Sequence, residues 1–107
     1  MEPLKKYQQI LVHFLEECAL VRYANGPELE QQVIADYERN HFQLATVGWH
    51  KGRFIHEVVF HFDLKDGKVF IQQNWTDLRV ADELKARGIA PTDIVVGPAR
   101  ALAATSV

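Results

Sequence analysis

Apolar side chains stand at Leu4, Tyr7, Leu11, Phe14, Cys18 and Val21, in alternating steps of three and four. That spacing lays them along one stripe of an α-helix. Ile10, Leu15 and Ala19 widen the stripe beyond the narrow seam of a coiled coil, so the pattern predicts a helix over 3–24 packed on another layer. Pro3 suits its first turn, and Gly26-Pro27 supply the stop.

After Glu28 the period drops to two, the spacing of half-buried strands. Val33, Ala35 and Tyr37 alternate within 29–38, before a tight turn at Arg39-Asn40. Phe42, Leu44, Thr46 and Gly48 then fall on one face, and Ala45, Val47 and Trp49 on the other. A second turn at His50-Lys51-Gly52 leads to a strand in which Val58, Phe60, Phe62 and Leu64 alternate with Glu57, Val59, His61 and Asp63. Asp66-Gly67 is a strong hairpin signal, because both central residues of such a turn favour positive φ. Val69 to Asn74 is the return strand. Short connections predict four antiparallel strands in sequence order.

Asn74 or Thr76 is placed to cap a second helix over 77–87, with Leu78, Ala81, Leu84 and Ala86 on its apolar side and Gly88 at its end. Pro91-Thr92-Asp93 starts a last turn before Ile94-Val95-Val96. From Gly97 onward the chain is low in charge and has no period, as expected of a loosely ordered tail over 97–107. The expected architecture is therefore α+β: a long N-terminal helix packed on a four-stranded antiparallel meander sheet, followed by a shorter second helix. One sheet face is covered by helices; the other is partly apolar through Ala45, Val47, Trp49 and Val59, which suits a homodimer contact.

The totals narrow the class. The 107 residues, 48% hydrophobic and 24% charged, are expected to form one domain over 1–107 whose core needs no disulfide or metal staple. Cys18 is the single cysteine and reads as a small buried residue in a reducing compartment. No stretch approaches the roughly 20 apolar residues of a membrane span, so the expected location is cytoplasmic, with no membrane partner. Twelve Lys and Arg against fourteen Asp and Glu give a net charge of −2, and the basic residues are scattered. Neutralising phosphates requires a basic face, so direct tight nucleic-acid binding is not expected.

The stretch HFDLKDGKVFIQQNWTD, residues 61–77, carries the candidate chemistry. Asp63, Asp66 and Lys68 mimic the letters of a metal nuclease, in which acids hold the ion and a lysine stabilises charge on phosphate. Asp66, however, sits in the Asp-Gly turn, and Lys68 closes it. His61 and Asp63, two apart on a strand, share a face and could ligate one metal. A regular strand puts His56 on the opposite face, and His41 and His50 lie near turns, so no third ligand is evident and no metal or other cofactor is expected. No phosphate loop, paired CxxC or nucleophile elbow is present. Trp49 and Trp75 each border a turn. Such aromatics serve as core lids or, when uncovered, as anchors for a protein partner. The candidate contact set is His61, Asp63, Trp49 and Trp75, with no catalytic residues; a hydrolase using His61, Asp63 and Asp66 is the enzymatic alternative.

The order of motifs resembles the XisI family of fdxN element excision controlling factors. The matching pieces are Gly48-Trp49, His61-x-Asp63-x-Lys65-Asp66-Gly67-Lys68, Ile71-Gln72 with Asn74, and Thr76-Asp77 leading to Ala81-Asp82-Glu83-Leu84. Gly88-Ile89, Pro91, Asp93-Ile94-Val95 and Gly97 complete the series. Two places depart from the family pattern: Trp75, where members carry a small or polar residue, and the tail beyond Gly97. The resemblance implies a cyanobacterial accessory protein in programmed DNA excision during heterocyst differentiation. It implies as partners a nuclease-like XisH companion and a site-specific recombinase, with an antitoxin-like inhibition of that companion as the variant. It carries over no catalytic residues.

Overall fold

The computed structural model describes residues 3–20 and 28–97. Helix α1 (Pro3–Ala19) is followed by β1 (Leu29–Asp36), β2 (His41–His50), β3 (Arg53–Lys65), β4 (Lys68–Asn74), α2 (Val80–Ala86) and β5 (Ile94–Val96). The α+β class is as the sequence predicts. The sheet differs by one strand: its order is β1-β2-β3-β4-β5, antiparallel through β4, with β5 parallel to β4. The parallel connection runs through α2, as a crossover between parallel strands requires. Three residues are too few to print an alternation, so this strand has no signature in the sequence.

The middle of the predicted stripe on α1 faces the core, while Leu4 at its start is exposed and Val21 lies outside the described residues. Leu11, Phe14 and Leu15 are buried against Phe42, Leu44, Phe60, Phe62, Leu64, Val69 and Ile71 of the sheet. Val80, Leu84 and Ile89 close the same core. Phe14 meets Phe60 edge-on at 5.6 Å between ring centres. Each fully buried side chain of this kind contributes about 1.5–3 kcal/mol relative to exposure. Cys18 is only partly covered, and burial pushes its thiol pKa up.

Several predicted boundaries move. Helix α1 ends at Ala19, with Leu20 exposed in a turn and its N–H donating to Glu17 O at 3.2 Å; the rest of the predicted extension to 24 lies outside the described residues. So does the expected tail beyond Gly97. Strand β1 stops at Asp36, because Asp36 Oδ1 accepts from the backbone N–H groups of Glu38 and Arg39 at 3.0 and 2.9 Å. Those bonds build a turn from Tyr37 to Asn40 instead of the tight Arg39-Asn40 turn. The other hairpins are as predicted, with positive φ at Lys51 and Gly52 and at Asp66 and Gly67.

Neither Asn74 nor Thr76 caps α2, which begins only at Val80 with Arg79 at its N-cap and no side-chain cap bond. Asn74 Oδ1 instead accepts from Thr76 N–H at 3.0 Å and from Thr76 Oγ1 at 2.6 Å. Thr76 Oγ1 in turn accepts from Leu78 N–H at 3.1 Å. Short polar side chains that bond locally in this way compete with helix, and here they hold 75–79 as a loop between β4 and α2.

Candidate functional site

Two bulges shape the face of the sheet turned away from α1. Between β2 and β3, Leu44 pairs with Phe60 but Ala45 with Val58, so Val59 is the extra residue. Between β3 and β4, His61 pairs with Gln73 and Phe62 with Ile71, which leaves Gln72 extra. A bulge shifts all pairing beyond it by one position. Counted regularly from the Lys51-Gly52 turn, His41 would face Phe62; the bulge at Val59 sets it opposite Asp63.

Three polar side chains consequently converge on one carboxylate, that of Asp63. Asp63 Oδ1 lies 2.6 Å from His41 Nδ1 and 2.8 Å from His61 Nε2. Asp63 Oδ2 accepts from Gln72 Nε2 at 2.8 Å, so the second bulge supplies the remaining donor. Gln43 Nε2 stands 3.5 Å from His61 Nδ1. Burial would raise the Asp63 carboxyl pKa, but the hydrogen bonds from His41, Gln72 and His61 outweigh it and hold the carboxyl below its ordinary range. Asp63 is about one-fifth exposed and His41 about one-half, so the cluster opens to solvent on one side.

The sequence identified His61 and Asp63 and missed His41. It is the third histidine-or-acid ligand atom of a set lying within 4.8 Å of one another. Among the described residues no other such set forms. Asp66 is not part of it: it stands in the hairpin turn and faces a recess lined by Pro3, Tyr7 and Asp93. The hydrolase set of His61, Asp63 and Asp66 is therefore not assembled. His50 pairs with Glu28 at 2.9 Å, and His56 lies opposite Val47, farther along β3.

The tryptophans are not core lids. Trp49 is 61% exposed and Trp75 76% exposed, because the core lies under α1 and α2 while both residues stand at strand ends. Trp49 meets Phe54 edge-on at 5.4 Å across the β2–β3 hairpin. Trp75 overhangs a groove of ≈ 570 Å³ lined with Leu29, Thr46, Ile55, Val58 and Val59. Pairing of β3 with β4 begins at Phe60, so residues 53–57 of β3 form a sheet edge beside this groove. Of the outer-face residues expected to form an apolar contact, Ala45 is buried and Val47 and Val59 are half-covered, while the exposed aromatics Trp49, Phe54 and Trp75 stand at the ends of strands. No described helix is long and apolar enough to cross a membrane.

A helix-backed mixed sheet with a His-Asp-His cluster on its open face and aromatics at its ends defines a small α+β domain with no assembled hydrolytic centre among the described residues. The XisI protein family model matches residues 1–103, and the chain belongs to the XisI family. A crystal structure of a XisI-like protein from Anabaena variabilis is 43% identical, with a TM-score of 0.78 over 88% of this chain and 85% of that one. A second, of the fdxN element excision controlling factor XisI from the same organism, is 21% identical, with a TM-score of 0.74 over 90% and 86% of the two chains, and shares the fold. No curated protein matches significantly.

Proposed function

We propose that this chain is a non-enzymatic accessory factor that controls excision of a DNA element through protein contacts. A XisH-like companion, a site-specific recombinase or both are its partners, and it works in the cytoplasm. Family membership supports the excision-controlling role. The observation that carries the contact mode is Trp75, three-quarters exposed above an apolar groove that borders an open sheet edge. Aromatic anchors at such places dominate binding energies, and an unpaired edge can accept a strand from a partner. The slight negative charge favours control through proteins over direct grip on DNA.

Co-expression with the XisH-like companion and with the recombinase, followed by copurification, tests the reading. The expected result is a complex with at least one of them, weakened at least roughly tenfold by Trp75→Ala, as befits loss of an anchor. Failure to associate with either partner overturns it. Expression of the companion alone separates the antitoxin-like variant, which requires that companion to be toxic by itself.

A further inference from the structure

We propose that His41, His61 and Asp63 form a binding site for a first-row divalent transition metal, with two imidazole nitrogens and one carboxylate oxygen as ligands. The proposal stands independently of the partner reading. The sequence offered only two of these ligands, and the expectation of no metal rested on the lack of a third. The bulge at Val59 supplies it, by setting His41 opposite Asp63.

The geometry is close to what an ion needs. Zinc-type bonds to imidazole and carboxylate run about 2.0–2.2 Å, which separates ligand atoms by roughly 3.3–3.5 Å in a tetrahedral shell. Here the histidine nitrogens lie 2.6 and 2.8 Å from Asp63 Oδ1, and all three ligand atoms fall within 4.8 Å of one another. An opening of roughly 0.5–0.9 Å at the nitrogen–oxygen contacts, larger at His41 than at His61, accommodates the ion. Half-exposed His41 is free to make that movement by side-chain rotation, while His61 and Asp63 are fixed two apart on one strand.

The surrounding groups suit the bound form. Asp63 Oδ1 faces one ring nitrogen of each histidine, and Gln43 Nε2 lies 3.5 Å from the other ring nitrogen of His61. With metal on His61 Nε2 the ring proton stands on Nδ1, and a turned Gln43 amide accepts it through its oxygen. Gln72 holds Asp63 Oδ2 throughout, leaving Oδ1 aimed at the ion. Imidazole and carboxylate donors select zinc, nickel or cobalt over magnesium. The open side leaves room for solvent ligands.

Isothermal titration of the full chain at neutral pH with Zn²⁺, Ni²⁺ and Co²⁺, with Mg²⁺ as control, tests the site. One equivalent of transition metal is expected to bind, with visible absorption from Co²⁺. His41→Ala, His61→Ala and Asp63→Ala are each expected to weaken binding roughly tenfold or more, and Gln72→Ala about tenfold through its support of Asp63. His13→Ala, on the exposed side of α1, should leave it unchanged. Asp63→Asn keeps the side-chain shape and removes the anionic donor; with folding verified by circular dichroism, it too must lose affinity. Absence of a one-equivalent event in the wild type, or an event that survives the His41, His61 and Asp63 substitutions, overturns the assignment.

Discussion

Tyr7 Oη donates a 2.6 Å hydrogen bond to Asp93 Oδ2, joining the N-terminal part of α1 to a residue 86 positions away. The same hydroxyl accepts the Ala90 N–H at 3.2 Å. Tyr7 thus latches α1 to the segment that delivers β5 to the sheet, and its ring is nearly buried.

Removing that hydroxyl tests the latch. A hydrogen bond to a charged group contributes about 1.5–3 kcal/mol. Tyr7→Phe is expected to lower unfolding stability by that order in urea titration, and hydrogen exchange of β5 should accelerate. The Asp93 bond, and then burial, raise the Tyr7 pKa. A raised folded value means the neutral phenol is favoured by folding. This contribution is complete below the unfolded value of about 10 and disappears as pH rises through the folded one. Ultraviolet titration should show a late-ionising tyrosine in the wild type that Tyr7→Phe removes.

Gln8 makes the next contact inward. Its Nε2 donates to Tyr37 O at 3.1 Å and to Asn40 Oδ1 at 2.7 Å, so α1 clamps the β1–β2 turn. Asn40 adopts positive φ there. Gln8→Ala leaves two partly buried acceptors short of a donor, an expected loss of about 1–3 kcal/mol in chemical denaturation. Asn40→Gly, which tolerates the backbone but removes the Oδ1 acceptor, should cost less than Gln8→Ala.

How much of this was legible follows from periodicity. The stripe on α1 and the alternation around Phe42, Leu44, Phe60 and Phe62 told which side chains meet in the core, and Asp66-Gly67 told where the chain reverses. Pairing across strands was not legible, because nothing in the letters marks Val59 or Gln72 as an extra residue. A regular count separates His41 from Asp63, and only the bulge joins them. The β5 pairing was hidden for a different reason: it depends on a crossover and a latch from Tyr7, both long-range.

Gly48 lies opposite Leu29, against the chain entering β1. Its φ is +146°, and a Cβ built there would lie 2.7 Å from Glu28 O. The obstacle is backbone, which cannot swing aside. Gly48→Ala is expected to destabilise by about 1–3 kcal/mol, the usual cost of a non-glycine residue in such a conformation. Thermal unfolding measures it, and Gly52→Ala is the control, since a Cβ there meets nothing within 4 Å. The control carries only its positive-φ strain, so its Tm should fall less.

Arg87 ties the two helices together. Its guanidinium reaches Glu83 at 2.8 Å and Glu17 at 2.9 Å, and lies 4.9 Å from the centre of the Phe14 ring. Both carboxylates are largely exposed, so solvent screening reduces the ion pairs to about 1 kcal/mol together. Arg87→Met, which loses both ion pairs and the cation–π contact over Phe14, should therefore cost about 1–2 kcal/mol in urea titration. The sharper readout is Cys18. Burial raises its thiol pKa, and the positive charge of Arg87 partly offsets that rise, while Glu17 and Glu83 add to it. Removing the cation leaves burial and both carboxylates unopposed. The pH dependence of Cys18 alkylation should consequently shift upward in Arg87→Met, with slower reaction at neutral pH. Arg87→Lys, which keeps the charge but loses the forked geometry, should retain most of the wild-type thiol reactivity while losing part of the stability.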